Sequence, residues 1–159
     1  MSKHIAFIGV GNMGNPMAQQ LVNAGKQVKV FDVSEQAIKI AKETGLNVVN
    51  SLDELLSNSS AVISLLPEGN HVLELYLGEN GILKKISQDS LIIECSTIDI
   101  ETSLKIGDHA KSLGIKMIDA PVTGGVMGAR VGKLNFLVGG SQEAVKLATP
   151  LLEIMGQKI

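Results

Sequence analysis

The stretch His4-Ile5-Ala6-Phe7-Ile8-Gly9-Val10-Gly11-Asn12-Met13-Gly14-Asn15-Pro16-Met17-Ala18 decides how the rest of the chain is read. From His4 to Ile8 it is nearly continuously apolar, as a central strand buried on both faces must be. From Asn12 to Ala24 the apolar residues recur at helical spacing. Gly9, Gly11 and Gly14 stand between the two in the pattern G-x-G-x-x-G. After a strand and before a helix, each has a physical use. Gly9 permits the tight turn, Gly11 lets the backbone approach a pyrophosphate, and Gly14 allows close packing of helix on strand. The helix N-terminus is then aimed at phosphate groups, and Pro16 is tolerated in the first turn because its missing N–H has no intrahelical partner there. Gly9, Gly11, Asn12, Met13 and Gly14 are therefore assigned to a dinucleotide cofactor.

Asp32 follows the next strand candidate, Gln27 to Phe31, about 20 residues beyond the glycines, where a carboxylate accepts hydrogen bonds from the adenosine ribose hydroxyls. The alternative is a cap or turn residue ahead of Ser34. A carboxylate here repels a 2′-phosphate, and neither Val33 nor Ser34 supplies the arginine that accommodates one. The expected cofactor is NAD rather than NADP.

Beyond this unit, short runs rich in Val and Ile alternate with segments of helical period. Further strand candidates are Asn47 to Val49, Ala61 to Leu65, Leu91 to Glu94, Lys116 to Ile118 and Asn135 to Val138. Further helix candidates are Ser34 to Thr44, Leu52 to Ser57, Asn70 to Leu77, Ile100 to Leu113 and Gln142 to Met155. Ser34, Ser51 and Ser141 stand at N-cap positions. Gly25, Gly45, Gly114 and Gly156 follow the last periodic residues, where a left-handed C-cap is easiest for glycine. The pattern predicts an α/β fold of Rossmann type, a doubly wound, mostly parallel sheet with helices on both faces. The 159 residues, 45% of them apolar, suit a single dinucleotide-binding domain over residues 1–159, without repeat or linker. Met155 to Ile159 closes a helix and opens what reads as another strand.

Fourteen basic and sixteen acidic residues give a net charge of -2 and are scattered without a like-signed run, so no nucleic-acid or anionic-membrane partner is expected. No apolar stretch approaches the roughly 20 residues that span a bilayer, and the glycine-broken run after Lys3 and His4 is not a secretion signal. Cys95 is the single cysteine, which excludes an internal disulfide and a cysteine-based metal cluster and fits a cytoplasmic setting. His4, His71 and His109 share no metal-ligand spacing, and no metal is expected. Of the three, His71 can touch a cofactor. Arg130 and Lys133 read as solvated loop charges, and Cys95 as a small buried residue at a strand end.

In an open α/β sheet, ligands lie beyond the carboxyl ends of the strands. Three segments stand there: Leu65-Leu66-Pro67, Cys95-Ser96-Thr97-Ile98-Asp99 and Asp119-Ala120-Pro121-Val122-Thr123-Gly124-Gly125. With the glycine turn, they make the chain resemble the 3-hydroxyisobutyrate dehydrogenase family of β-hydroxyacid dehydrogenases. Gly9 to Ala18 is similar to that family's cofactor signature, and Ser96 to Asp99 and Asp119 to Gly125 are similar to the next two. Gly128-Ala129, Gly132, Leu134 and Val138-Gly139-Gly140 also match, so the resemblance covers the whole chain.

The resemblance implies that Leu66, Pro67 and Thr97 lie against the cofactor, that Ser96 contacts substrate or nicotinamide, and that Thr123, Gly124 and Gly125 hold the substrate carboxylate. A hydroxyl beside two N–H donors makes an anion-binding nest. On the residues alone, Ser96 and Thr97 can equally be caps for the following helix, Leu66-Pro67 a strand end broken by proline, and Thr123 to Gly125 a plain turn. Thr123 stands where the family has serine, and Ile100 where it often has proline.

The resemblance further implies reversible oxidation of a small 3-hydroxy acid, such as 3-hydroxyisobutyrate, to its semialdehyde. The family's general-base lysine lies in a Gly-x-Gly-x-x-x-Lys segment of a helical C-terminal domain, which also contributes to a homo-oligomer. Neither the segment nor that domain occurs in this sequence. No catalytic residue is assigned within the chain, which is expected to bind NAD and turn over little. Tartronate, glyoxylate or succinic semialdehyde reduction are alternatives within the family. 6-Phosphogluconate dehydrogenase shares the signatures but is disfavoured because no basic cluster for a phosphate is visible. A stand-alone NAD-sensing or interaction module is the alternative of another class.

Overall fold

The first strand, β1 (His4–Ile8), is apolar on both alternations because a core lies on each side of it. Ile5 and Phe7 enter one core, while Ala6 and Ile8 enter the other. The computed structural model describes residues 2–159. In it β1 is joined by β2 (Val28–Phe31), β3 (Asn47–Val48), β4 (Ser59–Ser64), β5 (Leu91–Glu94) and β6 (Lys116–Asp119) in the order β3-β2-β1-β4-β5-β6, every pair parallel. The order reverses between β1 and β4, which opens a crevice at the carboxyl ends of the strands. This is the doubly wound sheet that the sequence predicts.

The helices are α1 (Gly14–Asn23), α2 (Glu35–Glu43), α3 (Leu52–Leu56), α4 (Gly69–Leu77), α5 (Ile100–Ser112), α6 (Gly125–Arg130) and α7 (Gln142–Met155). One core gathers Met17, Ala18 and Leu21 of α1 with Ala144, Ala148 and Leu152 of α7. The other gathers Leu55 of α3, Val72 and Tyr76 of α4 and Ile106 of α5. Each fully buried Leu, Ile or Phe contributes about 1.5–3 kcal/mol, so two such layers are what hold the sheet. The capping serines act as expected, Ser34, Ser51 and Ser141 accepting from the N–H groups of Ala37, Glu54 and Ala144. Gly25, Gly45 and Gly114 have positive φ.

Gly156 departs from its assignment as a left-handed cap. Its φ is -139°, and it opens strand β9 (Gly156–Lys158). Glycine is needed there for space, since a Cβ would lie 2.6 Å from the Leu134 carbonyl oxygen and 2.7 Å from the Phe136 ring. The strand expected at Asn135 to Val138 is β8 (Leu134–Phe136), and it belongs to a second sheet rather than the first. That sheet has the order β7-β8-β9, with β7 (Val122–Thr123) antiparallel to β8 and β9 parallel to it. Asp119 and Gly139 exchange backbone hydrogen bonds of 2.8 and 2.9 Å, which tie this small sheet to the end of β6. The sequence did not announce α6, whose six residues include Gly125 and Gly128 and are too few for an amphipathic period. The 3-10 turn Ile82–Lys84 likewise carries no distinct signal in the sequence. Among the described residues, no helix is long and apolar enough to cross a membrane, and no three His, Cys, Asp or Glu side chains converge on a metal position.

Candidate functional site

A cleft of about 790 Å³ opens at the carboxyl ends of β1, β2 and β4. Gly9, Gly11, Asn12, Met13, Gly14, Asp32, Leu66, Pro67 and Thr97 all line it, so the structure gathers every residue assigned to the cofactor onto one surface.

The three glycines divide by cause. A Cβ on Gly9 would lie 2.1 Å from the Leu65 carbonyl oxygen, and one on Gly14 would lie 1.8 Å from the Gly9 carbonyl oxygen. Both are demanded by the protein's own packing, Gly9 also by its φ of +93°. A Cβ on Gly11 would meet nothing within 4 Å. The fold therefore has no internal reason to keep Gly11 bare, whereas a pyrophosphate approaching the backbone supplies one. The first turn of α1 carries no acidic residue, so its positive end faces the cleft uncompensated. These features fit a dinucleotide.

Asp32 performs two tasks. One carboxylate oxygen accepts from the Val10 N–H at 2.8 Å, fixing the glycine turn, and the other accepts from the Ser34 N–H at 2.9 Å, shaping the approach to α2. Each oxygen keeps a lone pair that a ribose hydroxyl could use, so the turn role leaves room for the cofactor reading. Val33 beside it is 88% exposed and offers nothing to a 2′-phosphate.

Ser96 does not share the exposed position of Thr97. It is 1% exposed, and its hydroxyl accepts from the Leu66 N–H at 2.8 Å, behind the cleft wall. Neither residue caps α5: Asp99 does, accepting from the Thr102 N–H at 2.8 Å. The hydrogen bonds from Thr102 hold the Asp99 carboxyl below the usual carboxylate range. Thr123 lies exposed on β7, and Gly124 and Gly125, with φ of +124° and +66°, begin α6. These three do not line the cleft, although their neighbour Val122 does. Asp119, at the head of that loop, is half-buried, and desolvation pushes its carboxyl up against a lowering hydrogen bond from Ser103.

His71 and Glu74 of α4 also line the cleft, with an apolar wall that includes Phe31, Leu52 and Leu75. Sequence reading singled out only His71, because Phe31, Leu52 and Leu75 follow the same periods as core residues. It also passed over Ser64, Tyr76 and Glu94, which form a buried cluster with Ser96 beneath the wall. Burial pushes the Glu94 carboxyl up and the Tyr76 hydroxyl well up. Cys95 is fully buried, and burial raises its thiol far from the reactive range. Arg130 and Lys133 are exposed and do not line the cleft itself, but Arg130 lines an adjoining groove against α1 and α2 that shares Gly11, Asn12, Ser34 and Ala37 with it.

The chain is similar to a 3-hydroxyisobutyrate dehydrogenase of Pseudomonas aeruginosa, 46% identical over 98% of this chain and 52% of the relative. It is also similar to an NAD-dependent L-serine dehydrogenase of the same organism, 43% identical over 99% of this chain and 53% of the relative. Among solved structures, a Mycobacterium tuberculosis 3-hydroxyisobutyrate dehydrogenase with L-serine superimposes with a TM-score of 0.92 at 38% identity, covering 100% of this chain and 54% of that one. The chain thus spans about half the length of the curated relatives it matches. Over residues 4–159 its sequence matches, and the chain therefore belongs to, the family described as the NAD binding domain of 6-phosphogluconate dehydrogenase.

Proposed function

We propose that this chain is the NAD-binding part of a dehydrogenase that reversibly oxidises a small 3-hydroxy acid to its semialdehyde. The observation that carries the reading is the adjacency of two features. The cleft lined by Gly11 and Asp32 is bounded by Val122, and the next three residues are Thr123, Gly124 and Gly125. The two substrates named in the relatives, 3-hydroxyisobutyrate and L-serine, share a carboxylate and a hydroxyl two carbons from it. A hydroxyl and two glycine N–H groups suit that carboxylate.

Bound NAD supplies the hydride acceptor. Asp32 holds the adenosine ribose, the N-terminus of α1 holds the pyrophosphate, and Leu66, Pro67 and Thr97 exclude water around the nicotinamide half. Loss of hydride from an alcohol also needs a base for the hydroxyl proton. The ionisable side chains lining the cleft are Asp32, His71 and Glu74, and Asp32 already accepts two backbone hydrogen bonds. Following the resemblance, we place the base on a lysine outside this chain, in the helical domain of the resembled family, and expect the whole protein to be a homo-oligomer. A free, buried Cys95 is consistent with the reducing cytoplasm.

The test is a titration of the purified chain with NAD in the presence and absence of 3-hydroxyisobutyrate and L-serine. The expected result is NAD binding tightened by one of these acids, a coupling abolished by Thr123→Ala, with little NADH formed. Indifference of NAD affinity to both acids would sink the substrate reading, and robust NADH production by this chain alone would overturn the placement of the base.

A further inference from the structure

Ser64 ends β4, Glu94 ends β5, and Tyr76 lies on α4. Along their strands Ser64 and Glu94 follow Val62 and Ile92, which enter the core shared with α4 and α5. Alternation therefore turns both polar side chains into that core. Ser64 and Tyr76 are 0% exposed, and Glu94 and Ser96 are 1% exposed. The salt bridges among the described residues lie elsewhere, so no cation accompanies the Glu94 carboxyl.

The hydrogen bonds form one connected path. The Tyr76 hydroxyl and the Ser64 hydroxyl are 2.5 Å apart, and the Ser64 hydroxyl is bonded in turn to Glu94 Oε2. Glu94 Oε1 accepts from the Ser96 N–H at 2.7 Å, and Ser96 Oγ accepts from the Leu66 N–H at 2.8 Å. The path starts on α4, which presents His71, Glu74 and Leu75 to the cleft, and ends on the Leu66-Pro67 loop, with Thr97 next to Ser96. Every segment that it joins is cleft wall.

For the sheet alone, this arrangement is poor chemistry. A carboxyl buried without a cation costs stability relative to apolar side chains of similar volume, and the strands need only apolar residues to pair. What such a network supplies is a fixed geometry, since each donor and acceptor is directional and no water competes. In the crossing that this strand order produces, a dinucleotide with its adenosine ribose on Asp32 extends its nicotinamide half toward the ends of β4 and β5. We propose that Ser64, Tyr76, Glu94 and Ser96 are positioning residues that set the Leu66-Pro67 loop and Thr97 for the nicotinamide half of the dinucleotide. The proposal rests on that orientation of the cofactor.

The test compares NADH with ADP-ribose, which lacks the nicotinamide, by calorimetry on the purified chain. The wild type is expected to bind NADH more tightly than ADP-ribose. Ser96→Ala leaves the Leu66 N–H without its acceptor and is expected to weaken NADH about tenfold while ADP-ribose stays within about twofold. The fluorescence change of NADH on binding should shrink in parallel, because that signal reports the nicotinamide surroundings. Tyr76→Phe removes one oxygen and almost no volume, and Glu94→Gln preserves shape, so these two decide the matter should Ser96→Ala fail to fold. Both are expected to show the same selective loss. Equal losses for the two ligands, no loss for either, or a wild type that binds both equally would overturn the positioning role. A wild type that binds ADP-ribose and NADH not at all would overturn the cofactor orientation with it.

Discussion

Asp32, at the end of β2, is partly exposed and gives its two carboxylate oxygens to the N–H groups of Val10 and Ser34. Glu94, at the end of β5, is 1% exposed and is held by Ser64 and the Ser96 N–H. The first acid stays at the water boundary, within reach of a ligand, and shapes only its own turns. The second touches no ligand surface and acts through a path that spans α4, two strand ends and a loop. One end of the cleft is therefore built for contact and the other for placement. An exposed carboxylate works because its charge is inexpensive to keep, whereas a buried one persists only where every oxygen is met by a donor or a proton.

The largest expected effect lies in the turn where the two ends meet. Gly14→Ala puts a Cβ 1.8 Å from a backbone oxygen that has no room to yield. Chemical denaturation should show a loss of about 3 kcal/mol, the upper end of the overpacking range. Gly11→Ala meets no protein atom, so its stability should stay within about 0.5 kcal/mol of wild type. Its NADH affinity should nonetheless fall at least about tenfold by titration, the equivalent of about 1.4 kcal/mol. A destabilised Gly11→Ala with intact binding would remove the distinction between packing glycine and ligand glycine.

Asp32→Ala comes next. Loss of charge-assisted hydrogen bonds to the ribose predicts about 2 kcal/mol, near thirtyfold, in NADH affinity. ADP-ribose should suffer equally, in contrast to Ser96→Ala. If Asp32→Ala spared ADP-ribose, the contact end of the cleft would have been placed at the wrong strand.

The smallest effect concerns protons. Burial raises the Glu94 carboxyl, so the folded chain holds that proton at pH values where the unfolded chain has released it. The contribution of Glu94 to stability is thus fully present below the ordinary carboxylate range and declines as pH rises toward the raised folded value. Asp119 titrates in the same direction, and Asp99 in the opposite one. The difference in stability between wild type and Glu94→Gln isolates the first of these. That difference should fall with rising pH across this window and level off above it. A difference that grows with pH would mean that the carboxylate is better solvated in the fold than in water.

The contact end was legible in the sequence because its parts are local. Gly9 to Gly14 and Asp32 lie within one strand-helix-strand unit whose spacing is fixed by its turns, and the N-cap serines announce themselves before helical periods. The placement end was not legible. Ser64, Tyr76 and Glu94 are brought together by strand order, and each alone looks like an ordinary polar residue at the end of an element. Ser96 stands out in the sequence as a substrate or nicotinamide contact or a helix cap, but no local pattern shows that its hydroxyl accepts from the Leu66 N–H. The second sheet was hidden for a similar reason: β7 has only two residues, and it pairs with β8 across the intervening α6. Gly156 misled because a glycine needed for closeness has the same symbol as one needed for a positive φ.

The most direct measurement is a calorimetric titration of the purified chain with NADH and, separately, with NADPH. Binding of one NADH per chain, tighter than NADPH, with the preference largely lost in Asp32→Ala, is the predicted result. NADPH binding more tightly than NADH, or a preference untouched by Asp32→Ala, would contradict the assignment of the cleft and of the residue that reads its adenosine end.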